Sequence, residues 1–194
     1  MRIISGTRKG RRLETLRGRT LRPTSDRVKE SLFNILGREV EDKVIIDLFA
    51  GTGNLGIEAL SRGARKVIFV EKQRQAIRFI KKNLTQLGME TRSEILPMDA
   101  IRSIDILQER RESFDLILMD PPYEKGLIQR TLKKLTAQNI YRKDSILIIE
   151  HTRREPLPDM MEGWDLVRQR RIGDTLISFL TPQTGSRLAQ AEDS

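Results

Sequence analysis

The sequence predicts an α/β fold in which a mostly parallel sheet is covered by helices on both faces. From residue 43 onward, short apolar runs alternate with amphipathic helical patterns, which is typical of parallel strands joined by helices. The runs are too continuously apolar for a sheet with one solvated face. Near the C-terminus the helical patterns stop, and two neighbouring strand patterns predict an antiparallel hairpin.

The N-terminal extension is predicted to be a small basic β-hairpin followed by a helix. Residues 2–5 and 11–16 flank a glycine-bounded turn at 6–10 and are consistent with short strands. A helix then begins at an N-cap within residues 24–26 and ends at about Leu36, where a glycine follows.

The remaining elements follow in order along the chain. The apolar runs that predict buried strands are Val44–Phe49, Val67–Val70, Ile95–Leu96, Phe114–Met119 and Ile146–Ile149. Helical patterns cover 73–87, 100–109 and 125–137, and the hairpin comprises Trp164–Arg171 and Thr175–Thr181. We therefore expect an N-terminal extension over 1–37, one domain over 38–181 and a flexible tail over 182–194.

The charge of the chain is concentrated at its N-terminus. The 194 residues carry a net charge of +9, and residues 1–30 contain ten Lys or Arg against three Asp or Glu. Such clustering is typical of a nucleic-acid partner, and a solubilising arm is the alternative. Cysteine is absent, which excludes disulfides and thiolate chemistry. No apolar stretch suits a signal peptide or a membrane span, so we expect a cytoplasmic protein.

A glycine-rich stretch between the first strand and the following helix indicates a ligand site. The sequence GTGNLG at 51–56 fits G-x-G-x-x-G, and the acidic Glu71 follows the first glycine by 20 residues. This spacing favours an adenosine-bearing ligand, NAD or S-adenosylmethionine, over a purely structural turn. A P-loop nucleotide site is excluded because no Gly-Lys-Ser/Thr follows.

Acidic residues at the strand ends refine the identity of that ligand. Asp47 precedes the glycines and would repel a pyrophosphate, whereas it would favour the ammonium and sulfonium of S-adenosylmethionine. Glu71 suits the ribose hydroxyls of either ligand. Asp99 can accept a hydrogen bond from an adenine amino group or cap the helix at 100–109, and the two roles are compatible.

The fourth strand runs into Asp120-Pro121-Pro122-Tyr123, a sequence rich in hydrogen-bond acceptors. The prolines fix an extended turn and lack N–H donors, so carbonyl and carboxylate oxygens are available to an incoming –NH2 group. Tyr123 offers a face on which a base can stack, worth about 1–3 kcal/mol. The alternative is a structural Pro-Pro turn with a capping Asp and a packed Tyr.

The motif series DLFAGTGNLG, VEK, MDA and DPPY resembles that of Rossmann-like S-adenosylmethionine-dependent methyltransferases that modify exocyclic amino groups. The N-terminal RIISGTRKGRRL and LRPTSDRVKESLFNIL are similar to the bacterial RsmD family of 16S ribosomal RNA guanine-N2 methyltransferases. The resemblance covers residues 1–181. It implies a seven-stranded sheet, S-adenosylmethionine as cofactor, and ribosomal RNA or the assembled small ribosomal subunit as partner.

The resemblance also implies a role for each motif residue. The catalytic residues would be Asp120, Pro121, Pro122 and Tyr123. The cofactor would contact Asp47, Gly51, Gly53, Asn54, Glu71, Lys72, Asp99 and Ala100. The basic residues that would contact RNA are Arg8, Lys9, Arg11, Arg12, Arg22 and Arg27.

Other functions stay open at this point. An adenine-N6 DNA methyltransferase shares the DPPY motif, although no sizeable extra domain is available to recognise a DNA sequence. A non-catalytic RNA-binding assembly factor with a vestigial cofactor site is a second alternative. A dehydrogenase is disfavoured because the sole histidine, His151, is expected in a loop after the fifth strand. We expect no metal site and a monomer.

Overall fold

The computed structural model describes residues 1–15, 26–122, 126–138, 140–158 and 161–183 of the chain. Within them lies a seven-stranded sheet with the order β3-β2-β1-β4-β5-β7-β6. The strands are β1 (Val44–Asp47), β2 (Lys66–Val70), β3 (Ser93–Leu96), β4 (Phe114–Met119), β5 (Tyr141–Thr152), β6 (Trp164–Ile172) and β7 (Thr175–Pro182). Strands β1 to β5 pair in parallel, and β6 and β7 form an antiparallel hairpin, both as predicted. Strand β7 joins this hairpin to the sheet by pairing antiparallel with β5.

Helices cover both faces of this sheet. They are α1 (Asp26–Leu36), α2 (Asn54–Ser61), α3 (Arg74–Leu87), α4 (Ala100–Glu109) and α5 (Leu127–Ala137), with short 3-10 turns at Gly37–Val40 and Glu90–Arg92. Alternate residues of each strand face opposite sides. One side packs against α1, α2 and α3, and the other packs against α4 and α5. The prediction of a parallel sheet with two covered faces is confirmed.

The strand order places a crevice at the centre of one sheet edge. From β1 the chain moves outward to β2 and β3, and then returns to the other side of β1 to form β4. Asp47, the last residue of β1, pairs with Phe69 in β2 and Leu118 in β4. Ligands of open α/β sheets bind outside the carboxyl ends of strands at such a reversal. The carboxyl ends of β1, β2 and β4 therefore form the edge where a ligand is expected to bind.

The strand pairing in the N-terminal hairpin is shorter than predicted. Its two arms meet at a bridge between Arg2 and Arg12. The first arm does not continue as a strand because the backbone N–H groups of Ile4 and Ser5 donate to the carboxylate of Glu58 in α2. Apolar residues of both arms are buried in the same cluster as α1 and α2. The predicted boundary at residue 37 stays a prediction.

The C-terminal half shows two differences from the predicted elements. Strand β5 spans twelve residues and contains His151, so the prediction that this histidine lies in a loop is wrong. The strand continues past its apolar run because β7 pairs with it as far as Thr152, and Ser178 lies within hydrogen-bonding distance of the His151 ring. Strand β7 extends one residue beyond its predicted end, through Pro182. Residues 184–194 of the predicted tail lie outside the described residues.

Candidate active site

Three carboxylates meet at the carboxyl ends of the central strands. Asp47 ends β1, Glu71 directly follows β2, and Asp120 directly follows β4. Because these strands are parallel neighbours, their ends lie at the same edge of the sheet. The negative charges of Asp120 and Glu71 both act on the pKa of Asp47, in keeping with this placement. We refer to Asp47, Glu71 and Asp120 as the acidic edge.

Asp47 is the most deeply buried member of the acidic edge, with 1% of its surface exposed. Its Oδ2 accepts a hydrogen bond from the N–H of Gly56 at 3.2 Å, and its Oδ1 has no hydrogen-bond partner among the described residues. The pKa of Asp47 is raised to about 7, mainly by burial and also by the charges of Asp120 and Glu71, while the N–H groups of Gly56 and Phe49 oppose the shift. A cation at this position would relieve the cost of ionising Asp47.

The glycine turn leaves the backbone open to a ligand beside Asp47. Gly51 and Gly53 have φ values of +54° and +88°, a region that side-chain-bearing residues avoid. A β-carbon added at Gly51 would meet no atom within 4 Å, so the space next to its backbone is open. Gly56 has a different role, because a β-carbon there would lie 2.3 Å from the ring of Phe69. Helix α2 can therefore pack closely on β2 only with glycine at position 56.

Glu71 fixes the glycine turn in place. Its Oε2 accepts from the N–H of Gly51 at 2.8 Å, and its Oε1 accepts from the N–H of Gln73 at 2.7 Å. Each carboxylate oxygen can accept two hydrogen bonds, so both oxygens keep capacity for a ligand. The side chain is partly buried. The assignment of Glu71 to ribose hydroxyls stays a prediction.

Asp99 confirms the predicted helix cap. Its Oδ1 accepts from the N–H of Ile101 at 3.0 Å, so it caps α4, which begins at the buried Ala100. Its Oδ2 lies 3.4 Å from the Nζ of Lys72, an exposed residue that follows β2. The structure therefore brings Lys72, Asp99 and Ala100 together beside Glu71. Their contact with a cofactor stays a prediction.

The proline turn begins at the end of β4. Asp120 is partly buried, Pro121 is buried and Pro122 is exposed. Tyr123 lies outside the described residues, so its predicted stacking stays a prediction. The register between β1 and β4 places Asp120 next to the glycine turn, since the N–H of Leu48 donates to the carbonyl of Leu118 at 3.0 Å.

The predicted RNA-contact residues are divided between two places. The first comprises the exposed Arg8, Lys9, Arg11 and Arg12 of the hairpin. Arg8 donates through Nε to the carbonyl of Leu87 at 2.8 Å, so the tip of the hairpin lies against the C-terminal end of α3. That end is remote from the acidic edge. Arg27 is exposed on α1, and Arg22 lies outside the described residues.

A buried ionic cluster was not predicted from the sequence. Lys29 and Glu58 are both 0% exposed, with Nζ and Oε2 3.5 Å apart. Lys29 also donates to the Oδ1 of Asn54 at 2.8 Å and to the carbonyl of Arg2 at 2.6 Å, and Glu58 accepts from Arg62 at 2.8 Å. We call Lys29, Asn54, Glu58 and Arg62 the Lys29–Glu58 cluster. It joins α1, α2 and the hairpin behind the glycine turn and occupies the side-chain oxygen of Asn54.

Two further properties concern the described residues alone. No described helix combines the length and apolarity required to cross a bilayer. No group of three or more His, Asp or Glu side chains in the described ranges is arranged to hold a metal ion.

The sheet order, the glycine turn and the strand-end acids define a Rossmann-like fold of the methyltransferase class. The structure of yhhF from Escherichia coli superimposes with a TM-score of 0.79 at 28% identity, covering 94% of this chain and 98% of that one. SMU.776, solved with SAH, shares the fold at 12% identity and a TM-score of 0.63, covering 80% of this chain and 49% of that one.

The chain belongs to the RsmD family. The family described as Conserved hypothetical protein 95 matches residues 1–181. Ribosomal RNA small subunit methyltransferase D of Haemophilus influenzae is 35% identical over 176 residues, covering 89% of each chain. The protein of the same name from Escherichia coli K12 is 32% identical over 173 residues, covering 89% of this chain and 85% of its own.

Proposed function

We propose that this protein transfers a methyl group from S-adenosylmethionine to the exocyclic N2 amino group of a specific guanine in 16S ribosomal RNA. The acidic edge carries the proposal. It places hydrogen-bond acceptors and negative charge beside an open glycine turn, at the edge where ligands of such sheets bind. The names of the relatives support a small-subunit ribosomal RNA substrate.

The described residues fit S-adenosylmethionine as the cofactor. Asp47 is buried with an oxygen that lacks a hydrogen-bond donor among the described residues, and further negative charge lies nearby. This environment disfavours a pyrophosphate and favours a ligand that carries a sulfonium and an ammonium. The cofactor supplies an electrophilic methyl group. Gly51 and Gly53 would meet its methionine and ribose portions, Glu71 would accept from the ribose, and Asp99 with Ala100 would lie at the adenine.

Asp120 and the Pro121 carbonyl would bind and orient the target amine. The lone pair of guanine N2 is delocalised into the ring, so this nitrogen is a weak nucleophile. Hydrogen bonds from N2–H to these two acceptors favour a pyramidal nitrogen with its lone pair directed at the methyl carbon. Positive charge develops on the nitrogen as the N–C bond forms and the S–C bond breaks, so fixed acceptors stabilise the transition state more than the ground state. The N2 proton leaves to Asp120 or to water.

The target guanine must be accessible for this reaction. Its N2 group takes part in pairing with cytosine, so the base has to be unpaired or rotated out of the helix before transfer. Tyr123 would then stack on the exposed base. The hairpin arginines and Arg27 would bind phosphates around it.

A labelling experiment tests the proposal directly. The protein is incubated with methyl-labelled S-adenosylmethionine and, separately, small ribosomal subunits lacking the modification, protein-free 16S ribosomal RNA, and duplex DNA. We expect label in one guanine, recovered as N2-methylguanine after nuclease digestion. Label on adenine in DNA would establish the adenine-N6 alternative. Absence of transfer to every substrate, with RNA still bound, would favour a non-catalytic assembly factor.

A further inference from the structure

A groove of about 530 Å³ lies between α1 and the edge strand β6. It belongs to neither the acidic edge nor the hairpin. Its charged and polar lining is Arg27, Glu30, Ser31, Asn34, Arg168 and Arg170. Three guanidinium groups against one carboxylate give it a positive charge, and the serine and asparagine add neutral hydrogen-bonding groups.

The sheet register explains why two arginines of β6 face α1. Arg168 pairs with Phe179 and Arg170 pairs with Ile177 on β7, and the side chains of both β7 residues lie in the hydrophobic cluster that contains α1. Residues paired across neighbouring strands face the same side of a sheet. Arg168 and Arg170 therefore lie on the face of the sheet that α1 covers, where Arg27 of α1 lines the same groove.

The groove lies at the same level of the sheet as Asp120. Met119 on β4 pairs with Ile149, which pairs with Ser178, which pairs with Gln169 on β6. Asp120 follows Met119 and Arg170 follows Gln169, so both lie one residue beyond this row, toward the carboxyl edge of the sheet. Three strand spacings separate them, a distance on the order of 14 Å. Leu118, which precedes Asp120 by two residues, also belongs to the α1 face.

The groove arginines differ from several other cations near the edges of the sheet. Lys66, Lys72 and Arg110 are paired with carboxylates. The guanidinium groups of Arg27, Arg168 and Arg170 form no ion pair with any other described residue. Charged residues on an edge strand also prevent edge-to-edge association of sheets, and that role would not require a matching arginine on α1.

We propose that this groove binds backbone phosphates of the ribosomal RNA strand next to the target guanine. This inference rests on the proposed function and adds a contact surface to it. The groove starts at the level of Asp120, whereas the hairpin tip lies against the far end of α3. Guanidinium groups that form no ion pair with a described residue suit phosphate oxygens, which they can bind in a bidentate manner. The groove therefore holds the RNA near the site, and the hairpin contacts a more distant part.

Salt-dependent binding tests the groove without relying on methyl transfer. The probe is a small ribosomal subunit lacking the modification, and the variant is R168Q/R170Q. The matched control is R102Q/K133Q, which removes two exposed cations from α4 and α5 on the opposite face. Loss of two phosphate contacts should reduce the magnitude of the log–log salt slope by about 1.4–1.8. Affinity at about 0.1 M salt should fall about tenfold or more, and the control should match the wild type.

Kinetics and a second variant complete the test. For R168Q/R170Q we expect KM for the subunit to rise while kcat at saturation and the Kd of the cofactor are unchanged. E30Q removes the acid from the groove and should tighten binding a few-fold, which gives an independent answer if the double variant folds poorly. Affinity that E30Q leaves unchanged or weakens would contradict the proposal.

The outcomes separate this inference from the proposed function. If methyl transfer is normal and R168Q/R170Q has the same salt slope as the control, the proposed role of the groove is wrong and the proposed function still stands. Groove-dependent binding without methyl transfer would support the groove and overturn the function. Failure of the wild type to bind either the subunit or protein-free 16S ribosomal RNA would overturn both.

Discussion

Two buried carboxylates beside α2, Asp47 and Glu58, have opposite surroundings. Glu58 accepts hydrogen bonds from two backbone N–H groups and from Arg62, and its charge is balanced by Lys29. Asp47 accepts from Gly56 and has other acids as electrostatic neighbours. Burial is nearly complete for both. Burial of an acid does not by itself mark a functional site. What distinguishes Asp47 from Glu58 is that no basic side chain of the described residues balances its charge.

Donors from within the chain give Glu58 a structural role. Its contacts hold the hairpin and α1 against α2, so they are made whether or not a ligand is bound. Asp47 forms no ion pair with a described residue, and ionising it in the free protein costs free energy that a bound cation would recover. Ligand binding should therefore raise stability more than its contact area alone suggests.

The largest effect is expected for Glu58→Gln. This change leaves Lys29 buried without a full counter-charge and should lower the free energy of unfolding by about 3–5 kcal/mol. Urea denaturation measures it. The double variant K29M/E58Q should lose less than the sum of the two single losses, because the fully buried charge of Lys29 is removed together with its counter-charge. A loss below about 1 kcal/mol for Glu58→Gln would contradict the structural role assigned to Glu58.

Asp120→Ala tests the acid that we propose binds the target amine. Loss of one fixed acceptor should lower kcat by about 10²–10³, since that acceptor acts mainly in the transition state. The cofactor Kd, measured by calorimetry, and the unfolding midpoint should stay close to the wild type. Lost cofactor binding with normal turnover at saturation would show that Asp120 belongs to the cofactor site instead.

The pH dependence of cofactor binding tests Asp47. Burial raises its pKa from 3.8 to about 7. A raised pKa in the folded state means that this group's stabilising effect is complete below pH 3.8 and is lost as the pH rises through 7. A cationic ligand prefers the ionised carboxylate, so its affinity should rise about tenfold per pH unit below 7 and level off above it.

Asp47→Asn is the control for that measurement. The asparagine cannot ionise, so the variant should lose the Asp47-linked parts of both the stability profile and the affinity profile. Any dependence that remains belongs to the ligand or to other groups. Calorimetry between about pH 5.5 and 8.5 suffices. A steep rise in affinity that persists in the variant would assign the effect to a group other than Asp47.

Much of the fold and of the acidic edge could be predicted because the relevant signals are local. Buried parallel strands produce continuous apolar runs, and the turn requires glycine at positive φ at positions 51 and 53. The acids were recognisable because each lies at or just after a strand end, at positions 47, 71, 99 and 120. A parallel sheet places all strand ends of one kind together, so local positions become neighbours in space.

The Lys29–Glu58 cluster could not be predicted by the same means. Lys29 and Glu58 are far apart in sequence, and each resembles an ordinary solvent-facing charge on a helix. A signal was present in α2, where Glu58 is the sole charged residue of a mostly apolar helix that is buried on all sides. An acid in such a helix requires a partner. The extension of β5 through His151 was missed because pairing with β7, and not apolar character, determines where that strand ends.

The smallest effect concerns Asp99, whose surroundings lie between those of Asp47 and Glu58. It is partly exposed and receives donors from Ile101 and Lys72. Asp99→Ala should cost about 1 kcal/mol of stability through loss of the α4 cap, whereas Asp99→Asn keeps the cap and should cost a few tenths. If Asp99 also accepts from the adenine amino group, both variants should weaken cofactor binding several-fold. If Asp99→Asn binds the cofactor with wild-type affinity, the role of Asp99 is limited to capping α4.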